Sequence, residues 1–301
     1  MIKSTILNDI IDICSIQQSY QNKDISQILL PLNTSSKNNK VNYDNFLDLD
    51  MKRLVTYFVE TMENTFDKKD LQNLYHNFDS LDIKRLYDED NIVKFINGNV
   101  GGYSPLTNQI LLNKGTRYNV INHELLHASS SCYKDKNCYI GFYQKNNQDF
   151  QIGRAINEGY TELLNHRYFN GPDAFGNVYS YEVYTAILLE ELIGKNKMES
   201  LYLNANLYGL VEELKKYTSE QEISEFLTKT DFCNYYLRRL ICFPFIKNKL
   251  QISISYIILF LLKTNIIKII KENKDLKSDS EINEIIKNFL ISIPDKMDLL
   301  N

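Results

Sequence analysis

The sequence predicts an α+β protein in which a small mixed sheet is followed by helices. Residues 99–113 contain two short extended pieces around a turn with Gly and Pro residues. Apolar residues recur at helical spacing before and after that stretch. With 301 residues, the chain is long enough to bury a sizeable core.

The N-terminal segment, residues 1–90, is predicted to be helical. Residues 1–32 favour one or two helices, and residues 33–43 have the composition of a polar linker. Residues 45–66 carry apolar positions at helical spacing, which predicts a further helix.

Residues 91–170 form the second predicted unit and contain the candidate functional residues. Residues 109–112 are predicted to be the second of its two strands. Gly115 and Thr116 then supply a turn and an N-cap for the helix that follows.

The third predicted unit, residues 171–301, is a helical C-terminal lobe. Ser219-Glu-Gln-Glu222 matches a capping box. Residues 250–262 predict a buried helix, because about 13 residues span only about 20 Å, too little for a bilayer core. Breaks between the helices are expected at Gly194, Tyr208-Gly209 and Pro244.

The helix after the predicted strands carries His123-Glu-Leu-Leu-His127. Residues four apart lie one above the other on a helix face, so both imidazoles can point at one metal ion. Glu124 lies one step from the first histidine, where it can reach a metal-bound water but is badly angled to be a ligand. The opposite face carries Ile121, Leu125 and Ala128, which we expect to be buried.

A catalytic zinc ion usually takes three protein ligands and leaves a position for water, so a third donor must come from elsewhere. We choose Glu158, which lies on a second predicted helix, residues 152–169, ending at Asn170-Gly171-Pro172. Glu162 is one turn further along the same face. A carboxylate there is placed to accept the second ring N–H of a ligating histidine, with His123 as the expected partner.

His-Glu-x-x-His followed by Asn-Glu-x-x-x-Asp/Glu resembles the gluzincin metallopeptidases, the thermolysin-like branch whose third zinc ligand is a glutamate on a downstream helix. The resemblance covers residues 95–170 and implies a zincin-like, two-lobed fold with an active-site helix. It implies one Zn²⁺ ion held by His123, His127 and Glu158, with Glu124 as the general base. Glu162 would be the carboxylate behind the ligands, where family members usually have Asp.

The implied activity is hydrolysis of peptide bonds by a zinc-bound water whose proton Glu124 takes and passes to the leaving amine. In zincins, a sheet edge strand just ahead of the active-site helix pairs with an extended peptide or protein substrate. Aminopeptidases of the clan carry a Gly-x-Met-x-Asn motif, which Gly101-Gly-Tyr-Ser-Pro does not match. This difference favours an endopeptidase over an exopeptidase.

The resemblance also implies a donor that stabilises the oxyanion, often a tyrosine or a histidine. Tyrosine is too abundant in this chain for position to decide among the candidates. His166 can equally be a surface or helix-capping residue, and His76 has no partner motif and is expected to be structural. The candidates for the donor are Tyr139, Tyr143, His166, Tyr181 and Tyr184.

Three other hypotheses compete with a peptidase. A structural zinc site generally uses cysteine and closes all four positions, which leaves Glu124 without a role. A catalytically inactive peptide-recognition or regulatory module would keep the metal without turnover. A helical interaction protein would bind no metal at all.

Composition limits the partners. A net charge of −4 and an isoelectric point near 5.7 predict no nucleic-acid partner. Five widely spaced cysteines favour reduced thiols over a disulfide framework, although Cys132 and Cys138 could bridge a loop. The N-terminus has no signal-peptide pattern and no membrane span is expected, which favours a cytoplasmic location. The high Ile, Asn, Lys and Tyr content suggests an AT-rich bacterial genome.

Overall fold

A computed structural model of the chain describes residues 40–43, 46, 48–86, 101–113, 116–146, 150–169 and 180–242. Several predictions from the sequence lie outside these residues: the helices of residues 1–32, most of the polar linker, Asn170-Gly171-Pro172, Pro244 and the helix of residues 250–262.

Helices and short strands both occur in the described part, so the α+β prediction is confirmed. The elements follow one another in this order: α1 (Leu49–Thr65), α2 (Gln72–Phe78), β1 (Asp82–Leu86), β2 (Gly101–Ser104), β3 (Gln109–Asn113), α3 (Tyr118–Ser129), β4 (Ser131–Lys134), β5 (Asn137–Ile140), β6 (Tyr143–Lys145), β7 (Gln151–Ile152), α4 (Arg154–Phe169), α5 (Ser180–Ile193), α6 (Lys195–Leu203), α7 (Leu207–Leu214) and α8 (Glu220–Cys242).

The predicted helix of residues 45–66 is α1, but it begins only at Leu49. Its start is fixed by the Asp48 side chain, which accepts hydrogen bonds from the backbone N–H groups of Asp50 (2.9 Å) and Met51 (3.2 Å). The buried face of α1 carries Phe58, whose ring stacks on Phe169 at the end of α4 with 4.6 Å between ring centroids.

A three-stranded mixed sheet has the strand order β1-β3-β2. Strand β1 pairs parallel to β3, and β2 pairs antiparallel to it. The strand just ahead of the histidine helix is therefore the central strand and not the edge strand expected there; the edge on the histidine side is β2. Strand β1 also brings into this sheet a piece of the N-terminal segment that the sequence predicts to be helical.

A second sheet is an antiparallel meander, β4-β5-β6-β7, which the sequence did not predict. Asp135 and Lys136 form the β4–β5 turn with φ values of 52° and 61°, as in the hairpin turns that match strand twist. Cys132 pairs with Tyr139 while Cys138 pairs with Tyr133, so the two thiols point to opposite faces of the hairpin. Both cysteines are free, as predicted.

Helix α3 begins at Tyr118 and has Arg117 at its N-cap position, without a side-chain cap. The prediction that Thr116 caps this helix is therefore wrong. The Thr116 hydroxyl instead donates to the backbone carbonyl of Asn113 (2.6 Å), the last residue of β3. The predicted burial of Ile121, Leu125 and Ala128 is confirmed.

Helix α4 begins at Arg154, two residues later than predicted, because Ile152 belongs to β7. Gly153 separates the two elements with φ of 81°, and a Cβ atom there would lie 2.0 Å from the carbonyl oxygen of Phe142. The end of a strand and a close backbone contact thus fix where this helix starts.

The break predicted at Gly194 is confirmed, since it lies between α5 and α6. The break predicted at Tyr208-Gly209 is wrong, because both residues lie inside α7. The chain turns slightly earlier, at Ala205 and Asn206, and the Asn206 side chain accepts a hydrogen bond from the Gly209 N–H (2.8 Å).

The predicted capping box at the start of α8 is confirmed. The Glu222 N–H donates to Ser219 Oγ (3.3 Å), and the Ser219 N–H donates to Glu222 Oε2 (3.1 Å). Among the residues that the structure describes, no helix is long and apolar enough to cross a membrane.

Gly159 allows α4 and α5 to pack closely. A Cβ atom at this position would lie 2.1 Å from the backbone oxygen of Glu182 and 2.2 Å from its carbonyl carbon. Backbone atoms of a packed helix cannot move aside cheaply, so a side chain here would push the two helices apart.

We expect Gly159→Ala to lower the free energy of unfolding by about 2–3 kcal/mol through this overpacking. Urea denaturation of the variant and the parent measures the difference. Gly102→Ala is the matched control, because no atom lies within 4 Å of a Cβ atom there. An equal effect of the two substitutions would contradict the packing argument.

Glu182 is a buried carboxyl group on α5 with incomplete hydrogen bonding. Its Oε1 accepts a hydrogen bond from Asn234 Nδ2 (2.7 Å), and Oε2 is buried without a partner in the described part of the chain. Burial raises the pKa of Glu182 from 4.5 to about 7. Because the folded pKa exceeds the unfolded one, Glu182 lowers stability progressively as pH rises from about 4.5 through about 7.

Replacing Glu182 with Gln removes the titrating group, so the unfolding free energy of the variant rises relative to that of the parent as pH rises. Between about pH 5 and about pH 8, we expect the difference in unfolding free energy to move by about 2–3 kcal/mol in favour of Glu182→Gln. Urea denaturation of both proteins across this range tests it. Parallel pH profiles for the two proteins would rule out the raised pKa.

Candidate metal centre

Three side chains from α3 and α4 converge on one point. The Nε2 atoms of His123 and His127 are 3.0 Å apart, and Glu158 Oε2 lies 3.3 Å from the first and 3.5 Å from the second. All three side chains are buried or nearly so. The histidines are four residues apart on one helix, and the carboxylate faces them from the neighbouring helix. The three donor atoms are arranged so that they could hold a metal ion.

Glu162 lies behind this triangle, one turn beyond Glu158. Its Oε2 is 2.9 Å from Nδ1 of His123, the partner expected from the sequence. A hydrogen on Nδ1 leaves Nε2 as the lone-pair nitrogen that faces the other two donors. This contact therefore orients the ring so that Nε2 points toward the other two candidate ligands.

The carboxylates create a strongly negative environment around His123. Burial alone would lower the pKa of this imidazole, but hydrogen bonds to Glu158 and Glu162 outweigh burial and raise the pKa to about 10. Burial likewise opposes the charge on Glu162, yet the hydrogen bond to His123 lowers the pKa of that carboxyl group. The same field that favours a proton on His123 favours a metal cation.

His127 has a different set of neighbours. Its Nδ1 lies 3.4 Å from the Thr161 hydroxyl and 3.4 Å from Asn157 Nδ2. The Thr161 hydroxyl donates to the Asn157 backbone carbonyl (2.7 Å), so its oxygen can accept from Nδ1–H and from the Tyr202 hydroxyl (2.6 Å). Asn157 Nδ2 can only donate, because Oδ1 of the same amide accepts from the Phe142 N–H (3.1 Å), so the two neighbours of Nδ1 favour opposite tautomers of His127.

Glu124 is adjacent to the triangle and lines the same cleft. It is 8% exposed, and within the described residues its carboxylate forms no hydrogen bond. A Cβ atom on Gly101 would lie 3.6 Å from Glu124 Cγ, so the edge strand β2 runs beside this side chain. A carboxylate in this state is available to a water molecule in the cleft.

The cleft has a volume of about 730 Å³. One wall is β2 with the turn that follows it, and the other is formed by β4, β5 and β6. The floor consists of the candidate ligands with the first turn of α4. The lining residues are Gly101, Gly102, Tyr103, Pro105, Leu106, His123, Glu124, His127, Tyr133, Lys136, Cys138, Ile140, Tyr143, Lys145, Asn146, Arg154, Asn157 and Glu158.

Side chains that are distant in sequence hold the ends of both helices, and no sequence pattern indicated these contacts. Asn77 Nδ2 donates to the carbonyls of Ala128 (2.8 Å) and Ser131 (2.7 Å) at the C-terminal end of α3. Asp231 on α8 accepts from the N–H groups of Gly153 and Ala155, both at 2.7 Å, at the start of α4. These contacts fix the helices that carry the candidate ligands.

The five candidates for an oxyanion donor differ in their positions, and His166, in the last turn of α4, is not among the residues that line the cleft. The side chains of Tyr181 and Tyr184 lie outside the described residues. Tyr139 is buried and faces away from the cleft, since it alternates with Cys138 and Ile140, which both line it. Tyr143 lines the cleft, and burial raises its pKa to about 12, so it keeps its proton at neutral pH.

Comparisons with protein-family models, with curated proteins and with solved structures found no match for this chain. The functional argument therefore depends on the arrangement of these residues.

We expect Glu162→Gln to raise the dissociation constant for Zn²⁺ about 10- to 100-fold, because the neutral amide no longer stabilises the ligating tautomer of His123. Competition with a chromophoric chelator measures the constant. Glu60→Gln, an exposed change on α1, is the control for altered net charge. Equal zinc affinity of the Glu162 variant and the parent would show that this carboxylate does not tune the site.

Proposed function

We propose that this protein is a zinc-dependent peptidase of the gluzincin type, with His123, His127 and Glu158 as ligands of one Zn²⁺ ion. The observation that carries the proposal is the triangle of donor atoms, with sides of 3.0, 3.3 and 3.5 Å. Ligands about 2.0–2.1 Å from a tetrahedral ion lie about 3.3–3.4 Å from one another. The donor atoms therefore need only small movements to take up the ion.

The kind and number of donors also support zinc. Two imidazoles and one carboxylate are a common set for catalytic zinc, which keeps its fourth position open. Glu158 would supply the third ligand. All three candidate ligands line the cleft, so a fourth position is accessible from it. A two-lobed, zincin-like arrangement with its catalytic part in residues 91–170 belongs to the same proposal.

A bound zinc ion would supply Lewis acidity, which lowers the pKa of a water ligand to about 7 and polarises a carbonyl group. Glu124 is the general base: its carboxylate lines the cleft, is nearly buried and has no competing hydrogen bond in the described residues. It takes the proton of the attacking water and delivers it to the leaving amine. His123 is held in its ligating orientation by Glu162 throughout.

The edge strand β2 supports an extended peptide as the substrate. Its outer edge is unpaired within the described sheet, and it runs beside Glu124. A peptide can add to such an edge through backbone hydrogen bonds and so bring a scissile carbonyl to the candidate site. An endopeptidase fits a cleft that is open along this strand.

Tyr143 is the oxyanion donor that the cleft supports best. It lines the cleft from the wall opposite β2 and keeps its proton at neutral pH. Its O–H group donates to Gln151 Oε1 (2.9 Å), an exposed hydrogen bond that must break before the phenol can reach a substrate oxygen.

Metal content and activity together test the proposal. We expect the purified protein to hold one zinc per chain and to cleave members of a mixed peptide library. Glu124→Gln should keep the metal while kcat/KM falls by about 10²–10⁴, since the change removes the base alone. His127→Ala should lose both metal and activity. Elemental analysis and mass spectrometry of the digested library are the measurements.

The outcome also separates the alternatives. A parent protein that holds one zinc but cuts nothing that Glu124→Gln leaves whole is a metal-binding recognition module. A parent protein without stoichiometric metal after dialysis is neither a zinc peptidase nor a metal-binding recognition module, which leaves the interaction protein that binds no metal. Cleavage that persists in Glu124→Gln and His127→Ala would come from a contaminant or from a different site.

A further inference from the structure

One face of the second sheet forms a wall of the cleft. Side chains of Lys136, Cys138 and Ile140 alternate along one strand and its turn, and all three line the cleft. On the next strand, Tyr143 is paired with Ile140, and Lys145 is paired with Cys138. The register therefore places Lys136 and Lys145 on the face of the sheet that lines the cleft. Along the strands, both lie toward the β4–β5 turn from the Ile140–Tyr143 pair.

Arg154, the first residue of α4, adds a third cation to this side. Its Nε is 3.9 Å from Glu158 Oε1, and its side chain is half exposed. We call Lys136, Lys145 and Arg154 the basic wall. Glu124 and Glu158 are the acidic residues that line the cleft in the described chain, and both belong to the candidate metal centre.

The opposite wall carries no charged side chain among the residues that the structure describes. Its lining residues are Gly101, Gly102, Tyr103, Pro105 and Leu106. Leu106 is 68% exposed, so this wall offers apolar and backbone surface to a ligand. Among the described lining residues outside the candidate metal centre, the charged side chains are therefore all basic and all on one side. The protein as a whole is negative, with a net charge of −4, so the basic wall is a local feature.

We propose that the cleft selects peptides that present a carboxylate to the basic wall, either an Asp or Glu side chain or the C-terminus of the chain. The inference rests on the proposed peptidase function, which it deepens by naming the substrate class. The peptide backbone lies along β2, and the carboxylate crosses to the cations. Opposite charges in a cleft with low-dielectric walls attract more strongly than on an open surface.

The position of the carboxylate along the substrate follows from strand geometry. Lys136 lies four residues before Ile140, about 13 Å along the strand, whereas Arg154 is one helical turn from Glu158. An extended peptide advances about 3.3 Å per residue. Carboxylates from the residue next to the scissile bond to about four residues away can thus reach some part of the wall.

The test measures binding separately from turnover. Zinc-loaded Glu124→Gln protein is titrated with fluorescent peptides that differ only in Glu, Gln or Lys at one position, all with amidated C-termini. A second set has Gln at that position and a free or an amidated C-terminus. We expect the carboxylate member of a pair to bind about threefold to tenfold more tightly, and the preference to shrink as salt rises.

Substitution of the wall supplies the structural control. Lys136→Gln with Lys145→Gln should remove most of the preference. Lys134→Gln is the matched control: it lies on the same hairpin and loses the same charge, but it points to the opposite face because Tyr133 faces the cleft. It should leave the preference unchanged. The salt dependence of peptide binding to the zinc-loaded Glu124→Gln protein gives a second measurement that needs no lysine variant.

The outcomes are distinct. Equal binding of carboxylate and amide peptides, or a preference that Lys134→Gln removes as fully as the double variant, overturns the inference. Cleavage by the wild type without such a preference overturns it and leaves the peptidase proposal standing. A carboxylate preference in peptides that the wild type does not cut supports the basic wall and overturns the peptidase proposal. Preference for the free C-terminus alone assigns the wall to the terminal carboxylate.

Discussion

Helices α3 and α4 approach each other so closely that two imidazoles and two carboxylates share one buried volume. Carboxylates taken out of water without a cation are strongly disfavoured, so this arrangement requires positive charge. The pKa of His123 reflects this need for positive charge. Burial lowers this pKa, but Glu158 and Glu162 raise it by more. A metal cation would meet the same need with a larger charge and would compete with the proton for Nε2.

The candidate metal ligands are held in place by contacts with residues that are distant in the sequence. Asn77 holds the C-terminal end of α3, and Asp231 holds the N-terminal end of α4. Gly159 lets α5 pack against the other side of α4, where a side chain would collide with backbone atoms. Ligands on helices fixed at their ends are positioned more accurately than ligands on loops. The candidate site is therefore supported by segments from both halves of the described chain.

The walls of the cleft could not be predicted, for reasons that particular strands illustrate. Residues 109–112 carry a clear strand pattern, but nothing in them distinguishes a central strand from an edge strand; the parallel pairing with β1 makes that choice. The second sheet has strands of two to four residues, too short to show a periodic pattern. The basic wall depends on the register of those strands, so it could not be predicted from the sequence either.

The sequence by itself determined the local chemistry: His123 and His127 share a helix face, as do Glu158 and Glu162, because the helical period fixes the relation between residues one turn apart. Four of the five residues of the candidate site follow this relation, whereas the role of Glu124 was predicted from its position next to His123. Only the tertiary structure decided how the two pairs meet, which nitrogen of His123 faces Glu158 and which faces Glu162, and which strand borders the cleft. Those features depend on contacts such as Asp231 with α4, between segments far apart in the chain, where sequence spacing carries no information about distance.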